Sequence, residues 1–148
     1  MSERSRRWTE KPECGQVTLF GVGVVMMLLV VGGVSLDLWR VVAQHRALSE
    51  VADAAAAAGS NGIDIAHYRS SGDLALDPVL ATSYVEWSVS TQDRPSSFRS
   101  ARVTRVEPGR ITVSVSGRVD FSLLSLVAPG DGVDIEVEAS AGPRRSGG

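Results

Sequence analysis

Cysteine occurs once in the 148 residues, at Cys14, and histidine twice, at His45 and His67. A single cysteine excludes an intrachain disulfide, so any folded part holds together by packing and hydrogen bonds. Two histidines and no cysteine beyond the N-terminus leave no metal-ligand cluster to be read. The chain also lacks a Gly-rich phosphate loop, a G-x-S-x-G elbow and a zinc motif. These absences argue against an enzyme, a cofactor and a small-molecule substrate. Lysine is nearly missing, Lys11 being the exception among 15 basic residues, which reads as genome base composition. The formal net charge of -2 lacks the basic excess of a nucleic-acid partner.

Hydropathy is concentrated in one place. Val17 to Leu36 carries no charge, and only Thr18 and Ser35 are hydroxylated. At about 1.5 Å per residue that run covers about 30 Å, the thickness of a bilayer's hydrocarbon core. The rest of the chain is too small to cover a helix apolar on every face. A transmembrane helix is therefore expected over residues 17–36, with the lipid bilayer as its partner. The rival is a cleaved signal peptide, with Gly33-Val34-Ser35 offering small residues at cleavage spacing; its apolar core is usually shorter, about 7–15 residues. Cys14 precedes the run, whereas a lipobox cysteine would follow it. An inert thiol is expected there, with juxtamembrane palmitoylation as the alternative.

Arg4, Arg6, Arg7 and Lys11 precede the run, against Arg40 and Arg46 after it. That bias puts the N-terminus in the cytoplasm and everything after Leu36 outside. Within the run, Gly21, Val25, Leu28 and Gly32 share one helical face. They form either a notch for another helix or ordinary glycines of a membrane helix.

Neither Pro nor Gly appears between Val34 and Ala58, so one helix is expected from about Val17 to Ala58. Leu38, Val41, Val42, His45, Leu48, Ala52 and Ala55 recur at three- and four-residue steps as an apolar stripe. Arg46, Glu50 and Asp53 lie opposite. Ala54 to Ala58 favours helix, and Gly59 with Asn61-Gly62 beyond it reads as the stop.

Ile63 to Leu76 has no sustained period and reads as a loop with at most a helical turn. Asp77-Pro78 signals a helix start, and Leu80, Tyr84 and Trp87 give that helix a core-facing stripe to about Val89. Thr91 to Arg99 reads as a polar linker. A strand begins at Ala101, and Glu107-Pro108-Gly109-Arg110 is a turn. Ile111, Val113, Val115, Val119 and Phe121 then alternate with polar residues, with Gly117 marking a bulge or a close helix contact. Ser122 to Val127 reads as an irregular connection and Pro129-Gly130-Asp131-Gly132 as a turn. Val133, Ile135 and Val137 alternate as a third strand, and the tail from Gly142 is disordered by composition. Arg99 to Arg118 carries five Arg and one acid, and Val119 to Ala139 carries five acids and no base. Adjacent strands with such faces attract each other. The pattern serves either a solvated, register-fixing surface or a subunit contact.

Three segments carry a family resemblance. Gly15-Gln16-Val17-Thr18 opens the apolar run, Leu36-Asp37-Leu38-Trp39-Arg40 is an acidic-then-basic exit, and Val51-Ala52-Asp53-Ala54-Ala55-Ala56-Ala57-Ala58-Gly59 is an Asp-containing alanine segment. Residues 14–59 resemble the TadE/TadG-like proteins of the Flp (tight adherence) pilus system. In prepilin-type members a Glu stands five residues after the processed Gly; here Phe20 stands at that spacing from Gly15. The resemblance therefore implies the TadG-type condition, with the N-terminus kept and no major-pilin role. By the resemblance, the long extra domain of large TadG proteins is not expected here.

The expected fold is α+β and, by the resemblance, pilin-like. A long N-terminal helix and a second helix cover a three-stranded antiparallel sheet. The expected organisation is a cytoplasmic tail at 1–16, the span at 17–36, an extracytoplasmic domain at 37–141 and a tail at 142–148. The resemblance implies a non-enzymatic, minor pseudopilin-like component of a Flp/Tad-type pilus or secretion assembly. Its partners would be other assembly subunits, meeting the helix at Gly21, Val25, Leu28, Gly32, Leu38, Val41, His45, Leu48 and Ala52. The alternative is a small domain released by signal-peptide cleavage.

Overall fold

A helix without Pro, and with a run of alanines where it would otherwise fray, has no reason to stop at a membrane surface. The computed structural model, which describes residues 14–122 and 132–144, contains that helix as α1, Cys14–Gly59. Its 46 residues extend to about 69 Å at about 1.5 Å each. Val17 to Gly32 is exposed all round, and the helix is long and apolar enough to cross a membrane. The outer half is buried along one side. The basic flank before the span, the connection after Ser122, the turn through Asp131 and the tail beyond Arg144 lie outside the described residues.

The expected loop at Ile63 to Leu76 contains a helix, α2, Ile65–Ser71. Asp64 caps it by accepting from the His67 amide at 2.9 Å, and Gly72 ends it at φ 76°. None of its residues is buried. Capping rather than an apolar period makes this helix, which is why periodicity misses it. A bridge between Ile63 and Leu76 closes the excursion. The next helix, α3, is Pro78–Thr91, with Asp77 accepting from the Val79 and Leu80 amides at 2.8 and 3.1 Å.

Three strands follow: β1, Phe98–Glu107; β2, Arg110–Val119; and β3, Val133–Ala141. They form an antiparallel sheet in the order β1-β2-β3. β1 starts inside the expected linker. Phe98 packs partly against the core, its amide bonds the Pro95 carbonyl at 2.9 Å, and Arg94 lies over its ring at 5.3 Å. The architecture is α+β, as expected, with three helices among the described residues.

One face of the sheet carries Ile111, Val113, Val115 and Val119 from β2 and Ile135, Val137 and Ala139 from β3, all buried. α1 lies over β2 and β3, and α3 packs against α1 and β1. Small residues set how closely these layers approach. Ala52, Ala55 and Ala56 of α1 and Ala81 of α3 are almost fully enclosed. A Cβ on Gly117 would sit 2.6 Å from Leu48 Cδ1 and 2.8 Å from the Ser97 carbonyl oxygen. Of the two readings of Gly117 the close helix contact is present, and the sheet register also shifts opposite it, between Phe98 and Ser100. Gly59 ends α1 for a related reason. Its φ is not positive, but a Cβ there would stand 2.8 Å from both Ile111 Cδ1 and Val85 Cγ2.

Of the two expected helix faces, that of α1 keeps Val41, Leu48, Ala52 and Ala55 but is shifted, and that of α3 is turned. On α1 the buried line through Leu48 runs onward through Val51, Ala52 and Ala55 and back through Gln44, Val41 and Asp37. Leu38, Val42 and His45 are exposed. The apolar-only stripe drifted off the true 3.6-residue line because that line passes through two polar residues. On α3 the buried residues are Ala81, Val85 and Ser88, while Leu80, Tyr84 and Trp87 face outward. The gap against α1's alanines admits a methyl or a valine, not an aromatic ring.

Leu48 is 0 % exposed, so Leu48→Ala should cost about 2–5 kcal/mol through the cavity it leaves. Glu50→Arg, on the exposed side of the same turn, should stay within about 0.5 kcal/mol. Thermal unfolding of the solubilised chain measures both. Equal losses would mean that α1 does not seat on the sheet.

Candidate interaction surfaces

The described surface divides into regions of unlike chemistry. The first is the exposed apolar half of α1. Gly21, Val25, Leu28 and Gly32 are exposed there on one side, and a Cβ on Gly21 or Gly32 would meet nothing within 4 Å. Of the other residues expected to meet a partner helix, Leu38 and His45 are exposed and Val41 is half-buried. Leu48 and Ala52 are enclosed in the chain's own core.

The second region is the junction of span and domain. Asp37 is 2 % exposed, a costly place for a carboxylate without partners. Its Oδ1 accepts from the Ser122 amide at 3.4 Å and lies 3.7 Å from Arg40 Nη1. Arg40 also donates to the Ser122 hydroxyl. One turn higher, Ser97 donates to Gln44 Oε1 at 2.7 Å, and the Ser97 carbonyl accepts from the Arg118 amide at 2.8 Å. These contacts tie the lower outer helix to the ends of β1 and β2. The acidic-then-basic signal was legible in the sequence; the Gln44–Ser97 contact had none.

The third region is the open face of the sheet. β1 brings Arg102, β2 brings Ser114, and β3 brings Glu136. Arg102 Nη2 donates to Glu136 Oε1 at 2.8 Å, and the Ser114 hydroxyl donates to the same oxygen at 2.6 Å. The basic and acidic edge strands are not neighbours; their charges meet across β2, above a buried serine. Arg118 adds contacts of 3.5 Å to Asp120 and 3.6 Å to Asp134, so part of the charge pattern does fix strands to one another. The Ser114 hydroxyl first, and the Arg102 guanidinium second, hold the Glu136 carboxyl below its usual range.

The fourth region is the outward side of α3, with Leu80, Tyr84 and the 64 % exposed Trp87. Among the described residues no three His, Cys, Asp or Glu side chains group so as to hold a metal ion. The exposed apolar length of lower α1 suits a lipid environment.

A lowered carboxyl pKa stabilises the fold above the unfolded value, and the contribution is lost as pH falls through the folded value. Wild-type protein should therefore lose stability through the acid range below the usual glutamate value more steeply than Glu136→Gln. Ser114→Ala should move the Glu136 titration upward, as read by carboxyl NMR. An unmoved titration would remove the hydroxyl as its main cause.

No curated protein and no solved structure matches the chain. Over residues 15–64 the chain matches the family model described as Putative Flp pilus-assembly TadE/G-like.

Proposed function

We propose that this protein is a membrane-anchored, non-enzymatic component, minor and pseudopilin-like, of a Flp/Tad-type pilus or secretion assembly. The observation that carries this reading is where the family match falls. Residues 15–64 take in nearly all of α1 and the turn beyond it. The family's segment is thus both the membrane-length helix and the helix on which the outer domain is built. A pilus-assembly family calls for such a part: an anchor and a head rigidly joined. α1 is continuous through Ser35, and both Gly33 and Asp37 are covered, so anchor and domain are one body. That favours retention over release by cleavage.

Orientation follows from charge. The bias toward Arg and Lys before Val17 supports a cytoplasmic N-terminus and an extracytoplasmic domain. Partner subunits would meet the apolar half of α1 at Gly21, Val25, Leu28 and Gly32, where absent side chains let a second helix approach. Leu38 and His45 stand on a different side of α1 from those four at 100° per residue, and Val41 turns to the domain, so none of the three extends that contact.

Two outcomes are expected. Replacing Gly21 and Gly32 with Leu should leave protease resistance of the outer domain unchanged, because no neighbour within the chain is displaced. It should abolish in-cell crosslinking to assembly subunits and reduce pilus or secretion output as severely as deletion does. Normal output from the double variant would sink the notch. Separately, a C-terminal alkaline phosphatase fusion should be active and a C-terminal fluorescent protein that matures only in the cytoplasm should be dark. The opposite pattern would reverse the topology.

A further inference from the structure

Charge and burial disagree about where the membrane ends along α1. At 100° per residue, Gly33, Asp37, Val41, Gln44 and Leu48 lie on the side turned to the domain, and all are buried or half-buried. Protein therefore covers α1 from Gly33 upward, one turn inside the twenty-residue run that ends at Leu36. The opposite side behaves differently. Leu36, Leu38, Trp39 and Val42 point away from the sheet, all well exposed, with Trp39 68 % exposed and directly opposite the buried line. On that side the first charge after the run is Arg46, followed by Glu50 and Asp53. Arg40 does not interrupt it, because its guanidinium turns toward Asp37 and Ser122.

The outward side of α1 is thus uncharged from Val17 to Val42, about 39 Å at about 1.5 Å per residue, with the Ser35 hydroxyl turned back onto the Val31 carbonyl at 2.8 Å. That exceeds the roughly 30 Å hydrocarbon core and fits within the roughly 40–45 Å of core plus headgroup layers. From Gly33 to Val42, about 14 Å of helix has protein on one side and a bare apolar surface on the other. That surface is continuous with the lipid-facing run below it, and it stops within one turn, at Arg46. Tryptophan favours the depth where the overlap ends, its ring apolar and its N–H hydrated.

We infer that the base of the outer domain sits in the lipid headgroup layer. Leu36, Leu38, Trp39 and Val42 contact lipid, and the membrane boundary on that side of α1 falls between Val42 and Arg46 rather than at Leu36. Asp37 is then shielded from lipid by the domain, and Arg40, bonded to Ser122, lies at headgroup depth. The inference rests on the membrane-anchor reading and adds to it. The domain does not stand off on a free helical stalk; the membrane fixes its height and limits its tilt.

The test uses the full chain in phosphatidylcholine vesicles at low protein-to-lipid ratio. One sample keeps Trp39 alone, through Trp8→Phe and Trp87→Phe. A second keeps Trp87 alone, through Trp8→Phe and Trp39→Phe. Trp39 should be quenched by lipids brominated near the headgroup end of their chains. It should also be several-fold less accessible to aqueous iodide than Trp87. If the protein floats with the vesicles but iodide reaches Trp39 as readily as Trp87 and bromolipid leaves it bright, the inference fails and the anchor stands. Protection from iodide without bromolipid quenching also overturns it, since a second copy then covers the patch. Failure to float with the vesicles overturns the anchor reading and this inference together.

Discussion

Everything outside the apolar half of α1 depends on how closely one helix can lie on one strand. Leu48 fills the hollow left by the missing side chain of Gly117, and the alanines at 52, 55 and 56 let β2 and α3 close on the same helix. Small residues create no strong attraction of their own. They shorten the distance at which Ile111, Val113, Val115 and Val85 reach dense contact, where dispersion and exclusion of water act. The same closeness explains the inverted character of α3, whose large side chains have no room inside and face solvent.

That seating also makes anchor and domain mechanically one. Because α1 does not break at the membrane, force or displacement in the bilayer passes to the sheet through a single rigid helix. The junction is reinforced by polar contacts, namely Asp37 with Ser122 and Arg40 and Gln44 with Ser97. Buried polar contacts of this kind are costly unless satisfied, and so they act on specificity: they allow one rotation of α1 over the sheet.

On the sheet's open face, charge is arranged both across β2, from Arg102 to Glu136, and between neighbours, from Arg118 to Asp134. Arg102 reaches over β2 to Glu136 and leaves Ser114 enclosed beneath them. Contributions of such exposed pairs to stability are small. Their effect is on register, since a one-residue slip would turn each of these side chains to the apolar side.

Several features were fixed by local chemistry and could be read from the residues alone. The uncharged run and the unbroken helix after it need only length and the absence of Pro. The start of α3 needs only Asp77-Pro78, and β2 and β3 need only their alternation. The TadE/G-like character was legible for the same reason, since it lies in contiguous residues. What needed the tertiary structure was the exact facing of the helices. The buried line of α1 passes through Gln44 and Asp37, so a count of apolar residues found Val41, Leu48, Ala52 and Ala55 but added the exposed Leu38, Val42 and His45. The buried side of α3 was set by the width of the gap beside Ala52 and Ala55, which no property of Tyr84 or Trp87 reveals. α2 is held by its caps, without an apolar period. Local sequence determines which segments are helix or strand and which is apolar enough for lipid; which side of each turns inward depends on partners distant in the chain, because burial is a property of two surfaces together.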